Sequence, residues 1–175
     1  MAKRLAIDGF GQLELNQVAF RRDGRIEAQC KLADGIEYVE NGMILAVDQA
    51  NRTVSLGEAD DEFLALNYTT EHMYDERLAH GLKHFKLDKG TFCPRLGYLA
   101  TGDKFTTNCV AVADEAATGA KATAEEVKTA LASNGYGTVE DGVITLTNSA
   151  EGAIVKVVCA TTMPDGQFAV KFIAL

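Results

Sequence analysis

Six Asp-Gly or Asn-Gly dipeptides cut this chain into short pieces, and that punctuation restricts what it can fold into. They are Asp8-Gly9, Asp23-Gly24, Asp34-Gly35, Asn41-Gly42, Asp141-Gly142 and Asp165-Gly166. Such pairs accept positive φ cheaply and reverse the chain tightly, most effectively between runs that alternate apolar and polar residues. Leu13 and Leu15 alternate with polar neighbours. Val18 and Phe20 lead into Asp23-Gly24, and Ile26, Ala28 and Cys30 leave it, which predicts a hairpin over 18–31.

Further strands are expected between the other turns. Met43-Ile44-Leu45-Ala46-Val47 is a short unbroken apolar run, the pattern of a strand buried on both faces. Arg52 to Leu56, Phe63 to Tyr68, Arg95 to Leu99 and Phe105 to Val110 continue the series, with Gly102-Asp103 as the turn between the last two. Pro94 belongs at the start or edge of its strand, because it has no N–H for the ladder.

One helix stands out. Thr123-Ala124-Glu125-Glu126 is a capping box, in which the threonine hydroxyl and the second glutamate satisfy each other's free backbone N–H groups. Ala124, Val127, Ala130 and Leu131 share one face, and Asn134-Gly135 ends the segment. A helix this short must pack on a sheet to be stable. Three strands are expected after it, at 143–147, 153–160 and 167–175, as an antiparallel meander.

The expected fold class is α+β, predominantly antiparallel β. A β-barrel or sandwich-like first part spans 1–115, and a helix-plus-meander unit spans 116–175. The two parts can equally be one continuous domain in which the last strands close the first sheet.

The net charge of −8 sets 17 Lys and Arg against 25 Asp and Glu, which is the wrong sign for a partner held through phosphates. Lys3-Arg4 and Arg21-Arg22-Asp23-Gly24-Arg25 are the only basic clusters, and the second reads as a solvated turn. Nucleic acid is therefore not expected as a partner. No signal peptide is read at the N-terminus, and no apolar stretch approaches the length that spans a bilayer. Cys30, Cys93, Cys109 and Cys159 form no CxxC pair and sit in or beside apolar runs, so all four are expected as reduced core residues.

Few residues suggest chemistry. His72, His80 and His84 fall within thirteen positions, near Asp75 and Glu76, and are the weak candidates for a metal. Gly81 interrupts the HxxxH spacing, and there is no HExxH glutamate, so a polar loop explains them as well. Cys93, beside Pro94-Arg95, is the best-placed cysteine for a nucleophile, but no base is evident. Glu58 to Glu62 reads as a solvated acidic loop, and Gly9-Phe10-Gly11 lacks the third glycine and following helix of a phosphate loop. No catalytic residue, cofactor or metal is assigned.

Two stretches carry a resemblance. Arg4-Leu5-Ala6-Ile7-Asp8-Gly9-Phe10-Gly11 with Arg21 to Gln29, and Arg95-Leu96-Gly97-Tyr98-Leu99-Ala100-Thr101-Gly102-Asp103-Lys104-Phe105-Thr106-Thr107-Asn108, look like small virion proteins of tailed bacteriophages. The style is that of head decoration or cement proteins, over about two thirds of the chain, and extends to major capsid or tail proteins. The resemblance implies a non-enzymatic structural protein. It would be made in the bacterial host cytoplasm, reside in the virion, form a homo-oligomer and bind capsid or other virion subunits. No membrane is involved, and no catalytic residues are implied. Two other functions remain open: a small enzyme or ligand-binding β domain with a site between His72 and Cys93, and a host-encoded β-barrel adaptor.

Overall fold

A computed structural model describes residues 2–69 and 82–175. Among these, the first eight strands are β1 (Ala2–Arg4), β2 (Leu13–Gln17), β3 (Ile26–Glu27), β4 (Lys31–Leu32), β5 (Tyr38–Val39), β6 (Ile44–Asp48), β7 (Thr53–Leu56) and β8 (Leu64–Asn67). A 3-10 turn, Leu82–His84, leads to β9 (Leu87–Asp88), β10 (Leu96–Gly97), β11 (Lys104–Thr107) and β12 (Val110–Ala113). The helix α1 (Ala124–Leu131) precedes β13 (Tyr136–Glu140), β14 (Val143–Thr147), β15 (Val155–Thr162) and β16 (Phe168–Ala174).

The fold is mostly β and mostly antiparallel, as the sequence implies. An eight-stranded sheet has the order β1-β12-β14-β13-β15-β16-β11-β2, and a six-stranded sheet the order β3-β10-β8-β6-β7-β4. A β5-β9 ribbon completes the set. Two pairings are parallel, β12 with β14 and β4 with β7. The eight-stranded sheet interleaves strands from before residue 115 with strands from after it.

No barrel closes, and here the first part departs from one of its two expected forms. The physical reason lies at the β1 edge. Its outer side is taken by the segment leading into α1: Ala122 N–H donates to the Arg4 carbonyl at 2.8 Å, and Ala6 N–H donates to the Ala122 carbonyl at 2.7 Å. That edge has no vacancy for β2 at the far end of the sheet.

Alternation along each strand divides the core in two. Ile44 and Leu66 from the six-stranded sheet join Phe105, Val110, Ile144, Val170 and Phe172 from the eight-stranded sheet in one cluster. Leu45, Val47 and Ala65 point the other way, into a second cluster with Leu32, Val39, Leu87 and Leu96. The run from Met43 to Val47 is thus buried on both faces, as expected for unbroken apolar sequence. The helix keeps its predicted capping box and places Val127 in the first cluster.

All six turn glycines have positive φ, but only two of the dipeptides close hairpins between neighbouring strands of one sheet. Asp141-Gly142 joins β13 to β14, and Asp165-Gly166 lies in the turn between β15 and β16. The hairpin expected over 18–31 does not form. Phe20 is fully buried and packs on Tyr68 with ring centroids 5.0 Å apart. Asp23 N–H donates to the Ala19 carbonyl and Arg25 N–H to the Phe20 carbonyl, so the chain folds tightly around this anchor. It then delivers β3 to β10 in the other sheet.

The expected C-terminal meander is also interrupted. β13 lies between β14 and β15, and only β15 and β16 pair in sequence order. Gly137 makes this possible, because a Cβ there would come within 2.6 Å of Ile144 Cγ2 and 2.8 Å of Val155 Cγ2. The strand expected from Phe105 to Val110 is two strands, broken at Asn108-Cys109.

Candidate functional site

The candidate chemical residues disperse. His72 and His80 lie outside the described residues, as do Asp75 and Glu76. His84 is exposed at the end of the 3-10 turn. Among the described residues, no group of three or more His, Cys, Asp or Glu side chains is placed to hold a metal ion.

The cysteines do not share one environment, which corrects the expectation of four core thiols. Cys30 and Cys109 are buried, Cys93 is half-buried and Cys159 is exposed. Cys93 lines an open cleft of about 280 Å³ with Lys31, Asp34, Lys89 and Phe92. Cys159 is exposed because of where its strand lies, as described below.

A polar joint connects the two sheets. Glu40, almost fully buried, accepts two hydrogen bonds from the Arg4 guanidinium and one from Gly11 N–H. The Cys109 thiol donates to the Asn41 carbonyl at 3.2 Å, and Asn67 Nδ2 donates to the Glu40 carbonyl at 2.8 Å. Gln12 N–H donates to Asn108 Oδ1 at 2.7 Å, and the Thr107 hydroxyl donates to the Gln12 carbonyl at 2.8 Å. Burial pushes the Cys109 thiol up to about 11, with Arg4 opposing and Glu40 adding to the push. A protonated thiol held this way is a hydrogen-bond donor, not a nucleophile. Arg4 keeps its charge despite burial, through Cys109 and Glu40.

Glycines make the joint this tight. A Cβ on Gly11 would lie 2.2 Å from Cys109 Sγ and 2.7 Å from the Asn41 carbonyl oxygen. Gly42 has a φ of 85°, and a Cβ there would lie 2.1 Å from Thr107 Oγ1. Gly9-Phe10-Gly11 is therefore a close-approach segment, with Phe10 N–H donating to the Lys83 carbonyl at 2.9 Å. The joint's chemistry is structural: charge and hydrogen-bond donors are spent on backbone groups.

The feature that faces outward is β15. β16 pairs with it along its whole length, but β13 pairs with it only through Val155 and Lys156. Beyond Val157, whose N–H donates to the Gly135 carbonyl, no strand among the described residues flanks its outer side. The register slips between Val157 and Cys159, leaving Val158 as the extra residue of a bulge. Val158, Cys159, Ala160 and Thr162 are exposed, Val158 at 48%. Val157 to Thr162 contains no charge and no proline. Edge strands normally carry one or the other to prevent pairing with foreign strands, and here the bulge is the only such device.

A mixed surface flanks the C-terminal strand. Leu175, 49% exposed, lines a cleft of about 340 Å³ with Leu64, Leu66, Leu99 and Ile154, rimmed by Asp61 and Glu62. The acidic segment is partly built into the fold, since Glu58 Oε1 accepts from Asp141 N–H at 3.0 Å and Asp61 Oδ2 accepts from Glu58 N–H at 2.7 Å.

The sequence signals missed this edge because openness is not a local property. The run Val157-Val158-Cys159-Ala160 has the same apolar character as a core strand. Comparison with family models, curated proteins and solved structures yields no match to this chain.

Proposed function

We propose that this chain is a non-enzymatic structural protein that acts by strand addition along β15, and that it serves as a capsid decoration or stabilising protein of a tailed bacteriophage. The observation that carries the first half is the uncharged outer edge of β15, with Val158, Cys159 and Ala160 exposed. Backbone N–H and C=O groups on such an edge supply affinity, and alternate side chains supply specificity. The second half is supported by the sequence resemblance of residues 4–11, 21–29 and 95–108 to virion proteins. An excess of acidic residues suits a protein on the outside of a shell, away from the packaged genome.

The test is co-sedimentation with empty capsids of its own phage, using the wild-type chain and the variants Val158→Lys and Ala160→Lys. Wild type is expected in the capsid pellet and the lysine variants in the supernatant, with unchanged circular dichroism. Variants that sediment like wild type would refute the β15 edge as the contact. Shells formed by the chain alone would assign it as a major capsid protein, and absence of binding would remove the decoration role.

A further inference from the structure

Cys30 and Cys93 are separated by 63 positions in sequence but meet in the fold (93 − 30 = 63). The β3–β10 ladder pairs Ile26 with Gly97 and Glu27 with Leu96, so paired residue numbers sum to 123. Tyr98 N–H donates to the Arg25 carbonyl at 3.0 Å, which extends the same relation one step outward. Continued the other way, it sets Cys30 opposite Cys93 (30 + 93 = 123). The thiols are also close enough for Cys93 to contribute to the upward push on Cys30. Directly opposed residues in antiparallel chains have the Cα separation a disulfide requires.

We propose that Cys30 and Cys93 are a redox pair that closes to an intramolecular disulfide at the expense of a small-molecule disulfide of the glutathione class. Their environments divide the labour. Cys93 lines the open cleft beside Lys31 and Lys89, whose ammonium groups suit the carboxylates of such an oxidant. Cys30 is buried, at 2% exposure, and desolvation together with the nearby Glu27 carboxylate raises its pKa to about 11. The Cys93 thiolate therefore attacks first. The oxidant's S–S bond breaks, a mixed disulfide forms on Cys93, and one small thiol leaves with a proton. The Cys30 thiolate then attacks Cys93 Sγ, expelling the second small thiol. Two protein thiols are oxidised and one external disulfide is reduced to two thiols. Because Cys30 must deprotonate, the second step accelerates about tenfold per pH unit between pH 7 and 9.

The closed form would tie the segment between β3 and β4 to the approach to β10. That clamp is useful to a protein made under reducing conditions and then exposed to oxidising ones. The test uses the full chain carrying Cys159→Ser, incubated with glutathione disulfide at pH 8, alkylated, and mapped by mass spectrometry without reduction. The expected result is a linked peptide containing Cys30 and Cys93, with two thiols lost per chain. In Cys30→Ser, one glutathione per chain should persist on Cys93. A stable glutathione adduct on Cys93 in the parent, with Cys30 still alkylatable, would overturn the pairing. So would the absence of any reaction at Cys93. The parent map alone decides the matter if the Cys30→Ser chain fails to fold.

Discussion

Arg4 and Glu40 form a two-point ion pair, with the Arg4 NH1 group 3.0 Å from Glu40 Oε1 and the NH2 group on Oε2. It fastens β1 of the eight-stranded sheet to the turn that enters β6 of the six-stranded sheet. The Glu40 side chain is 5% exposed and that of Arg4 is 28% exposed. Removing one partner strands the other in a poorly solvated place. Glu40→Ala should therefore cost about 3 kcal/mol, measured by urea denaturation. The double variant Arg4→Met/Glu40→Met should recover most of that loss, because no buried charge remains. Equal losses in the single and double variants would refute this account.

The close approach of Gly11 to Cys109 gives a second test. Gly11→Ala drives a methyl group against Sγ and the Asn41 carbonyl, and should destabilise the fold by about 2 kcal/mol or more. Adding Cys109→Ala should return part of the loss but not all, since the carbonyl remains 2.7 Å from the new Cβ. Complete recovery in the double variant would show that the carbonyl moves freely.

Glu126 links the helix cap to acid stability. Its pKa is lowered to about 2 by the Lys3 ammonium first, then by Thr123 N–H and hydroxyl. A depressed carboxylate stabilises the fold above its ordinary value near 4.5 and loses that contribution as pH falls toward 2. Lys3→Met should therefore flatten the stability profile between those two values and leave the slope above pH 5 unchanged. Thr123→Ala should cost about 1 kcal/mol at neutral pH through loss of the cap. Thermal melts across a pH series measure both.

Thiol accessibility should follow the burial order. In native protein an aromatic disulfide reagent should modify Cys159 within seconds and Cys93 more slowly, while Cys30 and Cys109 wait for unfolding. Immediate modification of all four under native conditions would contradict the fold.

Local chemistry was legible in the sequence where it acts locally. Positive φ at Gly24, Gly42 and Gly142, the Thr123–Glu126 box and the doubly buried run at Met43 to Val47 all follow from neighbours within four residues. Strand partnership was not, because it is decided across the chain. Phe20 is a core anchor, which converts an apparent hairpin into a crossover between sheets. β13 left a signal in Tyr136, Thr138 and Val139 ahead of Asp141-Gly142, but the nearby Gly135 and Gly137 gave it the look of a loop. Cys109 and Cys159 sit in similar apolar sequence, yet one is locked in the joint and the other lies on an open edge. What separates them is the short overlap of β13 with β15, which depends on sheet order alone.

The position of β16 has a consequence for biosynthesis. It is the sole bridge between β15 on one side and β11 with β2 on the other. A nascent chain still missing residues 168–174 has nowhere to dock β11 and β2 against the half-sheet that ends at β15. Protease resistance of ribosome-held intermediates should then appear abruptly, when this segment emerges from the exit tunnel. Translation must finish the thread before the protein can be tied off.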